Sequence, residues 1–238
     1  MDVMSRLLSE HVRYVQQMID QQYRGQSVQP RTNDHHSTVV QALISTITLI
    51  NTRINTMGSE QRYTFLKFLV VLIEKSNDIT LLSKITGVVR GWIDDSDSLY
   101  PTSKEKTLVL VKMMCFEHFQ AAPLYTDFLN LVHHIYSNPA FQRTELTAQL
   151  EPAFMMGLKS HNPTVRTKFF AIFDRSMSRT LEGRISYILS VQSWESLGNA
   201  FWIKQALDVL LSVLDLDAPL ALSDDSALLP SLLEHAPM

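Results

Sequence analysis

The feature that most constrains this chain is the spacing of its apolar residues, which recur three and four positions apart along nearly its whole length. This spacing places apolar side chains on one face of an α-helix, whereas a half-buried strand would alternate at every second residue. No window of useful length alternates in that way. The sequence therefore predicts about ten helices and no strand.

Residues that favour helix N-termini mark several of the predicted starts. The positions are Ser59, Asp78, Thr102 with Glu105 three residues later, and Asn162 before Pro163. Such side chains accept hydrogen bonds from the first backbone N–H groups, which have no partner within the helix. The helix after Thr102 is predicted to bury one apolar stripe, made of Leu108, Val111, Met114, Cys115 and Phe119.

Pairs of predicted helices recur at a spacing of roughly 40 residues, which is typical of HEAT-type hairpins. In the clearest instance, Pro152 opens one helix, a polar turn follows, and Pro163-x-Val165-Arg166 opens the next. The predicted fold class is all-α, an α-solenoid of HEAT-like helical hairpins, with a globular helical bundle as the alternative. We expect the array at residues 1–217, then a loop and a weak terminal helix at 218–238 that continue into a longer protein.

Composition and motifs argue against an enzyme or a cofactor-binding protein. Glycine makes up only 7 of the 238 residues, and phosphate-binding loops, H-E-x-x-H, C-x-x-C and G-x-S-x-G are absent from the sequence. The acidic run Asp94–Asp97 lacks the glycine that a calcium loop needs, since Tyr100 stands at that position. The pairs His35-His36 and His133-His134 point about 100° apart on a helix and do not converge on a metal. We expect no metal, cofactor or small-molecule substrate, and a buried, unreactive Cys115.

One charged stretch is a candidate binding surface. Between residues 159 and 184 lie six basic residues, against only Asp174 and Glu182: Lys159, Arg166, Lys168, Arg175, Arg179 and Arg184. They predict either a surface for an acidic partner, phosphate or nucleic acid, or the solvated outer side of a repeat with Arg166 bracing its neighbour. A net charge of −3 gives no general reason to expect direct binding to nucleic acid.

A run near the C-terminus resembles a known family. It reads Gln192-x-Trp194-Glu195-x-x-Gly198-Asn199-x-Phe201-Trp202-Ile203-Lys204-Gln205. This run is similar to one in the TRRAP-like proteins, very large transcription-coactivator scaffolds related to the phosphatidylinositol-3-kinase-like kinases. We predict a packing role for the residues that match the family motif, because bulky aromatic residues at helical spacing usually lie in a core. These residues are Trp194, Glu195, Gly198, Asn199, Phe201, Trp202, Lys204 and Gln205.

The resemblance also implies a function. It implies a non-catalytic, nuclear segment of the helical-repeat region, in a protein whose kinase-like domain is a pseudokinase. Its partners would be transcription activators and subunits of histone acetyltransferase complexes. Two alternatives stay open: a helical-repeat adaptor or transport protein, and a helical enzyme with scattered site residues such as His118 and His133. We expect an intracellular, soluble protein, since no apolar run reaches the length of a membrane span.

Overall fold

The computed structural model describes residues 2–23, 31–95, 98–142, 144–176, 180–191 and 200–211. Within these ranges all regular structure is helical, in this order: α1 Asp2–Tyr23, α2 Arg31–Asn51, α3 Ser59–Lys75, α4 Ile79–Asp94, α5 Ser103–Met113, α6 Pro123–Ser137, α7 Glu145–Gln149, α8 Glu151–Leu158, α9 Pro163–Ser176, α10 Leu181–Val191 and α11 Ala200–Leu211. Short 3-10 turns cover Ile54–Thr56, Met114–Phe119 and Pro139–Phe141. The all-α prediction is confirmed. The predicted boundary at residues 217 and 218 lies outside the described residues.

The chain forms two compact units, Met1–Phe128 and Leu129–Met238. In the first unit, α1 packs on α2 and α3, and α5 packs on α3 and α4. Between residues 65 and 73, helix α3 is apolar except for Lys67, and it buries Phe65, Leu66, Phe68, Leu69, Leu72 and Ile73. In the second unit, α8 packs against α7, α9 and α10, and α10 also packs on α11.

Three of the four predicted N-caps are confirmed by hydrogen bonds. Asp78 Oδ1 accepts from Leu81 N at 2.8 Å, and Asn162 Oδ1 accepts from Thr164 N at 3.0 Å. Thr102 and Glu105 form the reciprocal capping box. The prediction for Ser59 was wrong by one residue, because α3 begins at Ser59 and Gly58 is its N-cap. There the Gln61 side chain accepts from Gly58 N at 3.4 Å.

The predicted buried face of α5 was also wrong. Leu108 is 38% exposed, whereas α5 and the turn after it bury Lys106, Val109, Leu110, Met113 and Phe116. Both faces of this helix carry apolar residues, so the spacing alone does not choose between them. On the buried face, the Lys106 ammonium group donates to the carbonyl oxygen of Trp92, so the charged group on that face has an acceptor inside the protein.

Candidate functional site

A buried basic residue is the fourth residue of each of four helices. These residues are Arg62 of α3, Lys106 of α5, Arg166 of α9 and Arg184 of α10. A buried cation is costly unless hydrogen-bond acceptors surround it. Each of the four side chains reaches back towards the turn or helix that precedes its own helix, where such acceptors lie.

Arg62 illustrates the arrangement in the first unit. Its Nη1 donates to the carbonyl oxygen of Met57 and its Nε donates to Glu105 Oε1 at 3.1 Å. The guanidinium also lies over the ring of Tyr100, 3.7 Å from the centroid. Although partial burial raises the pKa of Glu105, hydrogen bonds from Thr102 and Arg62 bring that pKa below its ordinary value. Arg62 thus joins the turn before α3 to the first turn of α5.

In the second unit, Arg166 Nη1 donates to the carbonyl oxygens of Ser160 and His161 at 2.7 and 3.1 Å. Arg184 Nη2 donates to Asp174 Oδ1 at 2.7 Å, and its guanidinium lies 5.2 Å from the centre of the Phe173 ring. These two arginines are 2% and 0% exposed. The predicted acidic-partner surface is therefore wrong for Arg166 and Arg184, because backbone and carboxylate oxygens inside the unit take their hydrogen bonds.

Two of the predicted surface residues lie on the exposed face of α9, beside α6. Lys168 and Arg175 are seven residues apart, which is nearly two helical turns, so both lie on one side of α9. Lys168 Nζ donates to Asn130 Oδ1 of α6 at 3.4 Å. We call Asn130, His133, Lys168 and Arg175 the α6–α9 basic surface. Of the other two predicted residues, Lys159 is half-buried and Arg179 lies outside the described residues.

The sequence did not predict that Asn130 and His133 lie beside the basic residues, and His133 is the titratable one of the two. Its ring meets the Phe169 ring edge-on, with 5.7 Å between the centroids. Burial lowers the pKa of His133, and the nearby Lys168, His134 and Arg175 lower it further. The imidazole is therefore neutral at pH 7 and leaves the positive charge to the lysine and the arginine. The sequence near His133 does not indicate that it lies beside Lys168 and Arg175, because α7 and α8 separate α6 from α9 along the chain.

The family-like run is only partly described. Trp194, Glu195, Gly198 and Asn199 lie outside the described residues, and the side chains of Phe201 and Trp202 are likewise not described. Lys204 and Gln205 of α11 are buried. Their burial is compatible with packing, and for the other six residues the packing role stays a prediction.

The residues considered for chemistry do not assemble into a site within the described ranges. His118 is exposed and belongs to the first unit, whereas His133 belongs to the second. Among the described residues, no three His, Cys, Asp or Glu side chains are placed to hold a metal ion. Cys115 is half-buried; its Sγ lies 3.6 Å from the carbonyl oxygen of Ile73, and burial raises the pKa of the thiol. None of the described helices combines the length and apolarity needed to cross a membrane.

Comparison with known proteins gives one family. The model of the Tra1 HEAT repeat ring region matches residues 1–236. The human transformation/transcription domain-associated protein is 36% identical over 235 residues, which are 95% of this chain and 6% of that protein. The fission yeast SAGA complex/NuA4 acetyltransferase complex subunit Tra1 is 37% identical over 205 residues, 86% of this chain and 6% of its own length. The fruit fly transcription-associated protein 1 is 32% identical over 222 residues, covering 90% of the chain.

Proposed function

The chain belongs to the Tra1 family, within its HEAT repeat ring region, and from this premise we propose that it is a non-catalytic scaffold segment of a nuclear transcription coactivator. It corresponds to about 6% of the length of the relatives named above, so the proposal concerns one portion of a far larger scaffold. Two of these relatives are named for transcription and one for acetyltransferase complexes. We take the partners of this segment to be subunits of such a complex and the activators that recruit it.

The match over residues 1–236 carries the proposal, and the use of the buried charges supports it. A scaffold needs hairpins of fixed geometry more than it needs a reactive pocket. Arg62, Lys106, Arg166 and Arg184 hold turns and neighbouring helices together instead of facing solvent. That arrangement makes each hairpin rigid enough to present its outer side chains in a constant pattern.

For the partner contact, we propose that the α6–α9 basic surface binds an acidic segment of another protein. Lys168 and Arg175 are exposed and lie on one side of α9. Among the described residues, the charges that act on the neighbouring His133 are basic: those of Lys168, His134 and Arg175. A surface of this kind attracts carboxylates and orients them before contact.

The experiment substitutes Lys168→Glu and Arg175→Glu in the full gene product and purifies the assembled complex from cells. We expect normal folding, because both side chains are exposed, and at least a severalfold loss of one acetyltransferase-complex subunit or activator among the co-purified proteins. Lys104→Glu, an exposed change on α5, is the matched control. Unchanged recovery of every partner in the double variant would overturn the surface proposal. A failure of the unmodified protein to co-purify any such complex would overturn the scaffold proposal.

A further inference from the structure

A cluster of three stacked rings lies between α1, α2 and the turn that joins α3 to α4. His11 of α1 stacks on His36 of α2 with 5.3 Å between ring centroids and 19° between planes. Tyr14 of α1 stacks on the same His36 ring at 3.8 Å and 15°. His11 is fully buried, and its Nε2 lies 2.8 Å from Ser76 Oγ in the α3–α4 turn. The cluster therefore ties α1 both to α2 and to that turn.

Ser76 and Asp78, in the turn that receives His11, already make hydrogen bonds of their own. Ser76 Oγ accepts from Asp78 N at 3.1 Å, and Ser76 N donates to the carbonyl oxygen of Leu72 at 2.9 Å. Asp78 Oδ1 caps α4 by accepting from Leu81 N. Among the described residues, Asp78 carries the carboxylate that acts on both histidines, and one of its oxygens already caps α4.

Two ring nitrogens of the cluster, His11 Nδ1 and His36 Nε2, are buried and have no hydrogen-bond partner among the described residues. A neutral imidazole has one nitrogen that donates and one that accepts, whereas an imidazolium has two donors and a full charge. Protonating either ring here would bury a donor without an acceptor, next to a second ring of the same kind. Such a group is costly to bury, so the packed cluster holds the neutral rings.

We propose that the His11–His36 stack is a pH-sensitive latch, which holds α1 against α2 and the α3–α4 turn when both imidazoles are neutral and releases α1 when they are protonated. Among the described side chains, the groups that face the stack are Tyr14 from α1, His36 from α2, and Ser76 with Asp78 from the α3–α4 turn. Release would uncover the faces of α2 and α3 on which α1 packs. This inference is independent of the α6–α9 basic surface.

The direction of the pH effect follows from the electrostatics of the two rings. Burial lowers the pKa of His11 and His36, the charge of His36 lowers that of His11 further, and Asp78 opposes both effects. A released histidine has an ordinary pKa of about 6.5. Because the packed rings bind a proton less readily than the released rings, docking is complete above about pH 6.5 and weakens as the pH falls below that value.

Hydrogen exchange of the full chain between pH 7.5 and 5.5, corrected for the intrinsic exchange rate, tests the latch. We expect the α1 amides to lose protection below pH 6.5, by up to about tenfold per pH unit for each imidazole that must charge. The variant His11→Gln with His36→Phe keeps a Ser76 partner and a ring for Tyr14 but has no group to protonate. In this double variant, the protection of the α1 amides at pH 5.5 should equal their protection at pH 7.5. His118→Gln, at an exposed histidine of the same unit, should retain the wild-type loss.

Three outcomes would overturn the latch. One is wild-type α1 protection that does not change between pH 7.5 and 5.5. Another is a loss of protection that persists unchanged in the double variant. The third is an NMR titration in which both His11 and His36 have pKa values at or above 6.5, since charging would then not oppose docking.

Discussion

Arg62 in the first unit and Arg166 in the second occupy the same place in their helices, but the helices beside them make contact in different ways. Both guanidinium groups are buried and donate to carbonyl oxygens of the preceding turn. Next to Arg62, a polar connection links α3 to α5 through Glu105, which also caps α5. Next to Arg166, α8 and α9 meet through an aromatic ring that lies flat against a glycine.

That glycine is Gly157, and a Cβ atom placed there would overlap the ring of Phe169. The ring cannot move aside easily, because it is fully buried and packs edge-on against both Phe154 and His133. The comparison shows that a buried arginine bonded to the preceding turn can accompany either a polar or a steric contact between helices. A steric contact fails when one atom is added, whereas a polar connection weakens in steps as its hydrogen bonds are removed.

The largest expected effect is at the steric contact. Gly157→Ala should destabilise the protein by about 3 kcal/mol, because overpacking a filled contact outweighs the better helix propensity of alanine. Urea denaturation measures the loss. Gly87→Ala on α4 is the matched control, since a Cβ there meets nothing within 4 Å, and it should be neutral or stabilising by up to about 1 kcal/mol. Equal effects of the two substitutions would remove the distinction drawn here.

A smaller loss is expected where the connection is polar. Arg62→Met should destabilise by about 2 kcal/mol, because hydrogen bonds to a buried charged group are lost while the Thr102 bonds to Glu105 remain. Combining it with Glu105→Gln in a double-mutant cycle should give a coupling energy of about 1 kcal/mol. Arg90→Met is the control, since Arg90 and Asp94 are both half-exposed and 3.9 Å apart. A coupling near zero would mean that the pair does not link α3 to α5.

The smallest expected effect is at the capping box itself. Thr102→Ala should cost about 1 kcal/mol, the usual price of losing an N-cap hydroxyl. Ser103→Ala, at the neighbouring exposed position, should change the unfolding free energy by less than about 0.5 kcal/mol. Thermal and urea unfolding of both variants would check this, and an equal loss at both positions would contradict the capping role.

Much of the local structure could be predicted from the sequence, because its causes are local. The spacing of Phe65, Leu69 and Leu72 follows the helix period, and Asp78 or Asn162 caps a helix through bonds to residues two or three positions away. The face of α5 could not be predicted, because two apolar stripes compete and the acceptor for Lys106 is a carbonyl on another helix. The choice depends on tertiary structure.

The candidate surface was also hard to predict from the sequence, because it too depends on tertiary structure. A count of positive charge treats Arg166 and Lys168 alike, although one is buried and the other is exposed. What separates them is the position of each side chain relative to the turn at Ser160 and His161, and that position depends on the packing of α9 on α8. His133 joins Lys168 and Arg175 only because α6 lies beside α9.

The arginines at the fourth helical position also limit how these hairpins can change. Surface loops usually tolerate insertions, because few contacts depend on their exact length. Here the length of the Arg166 side chain limits how far α9 can lie from the carbonyl oxygens of Ser160 and His161 that accept its hydrogen bonds. An extra residue in that loop would carry those oxygens out of reach and strand a positive charge in an apolar interior. We therefore expect length variation among relatives to fall in other connections and to spare the four residues between Leu158 and Pro163.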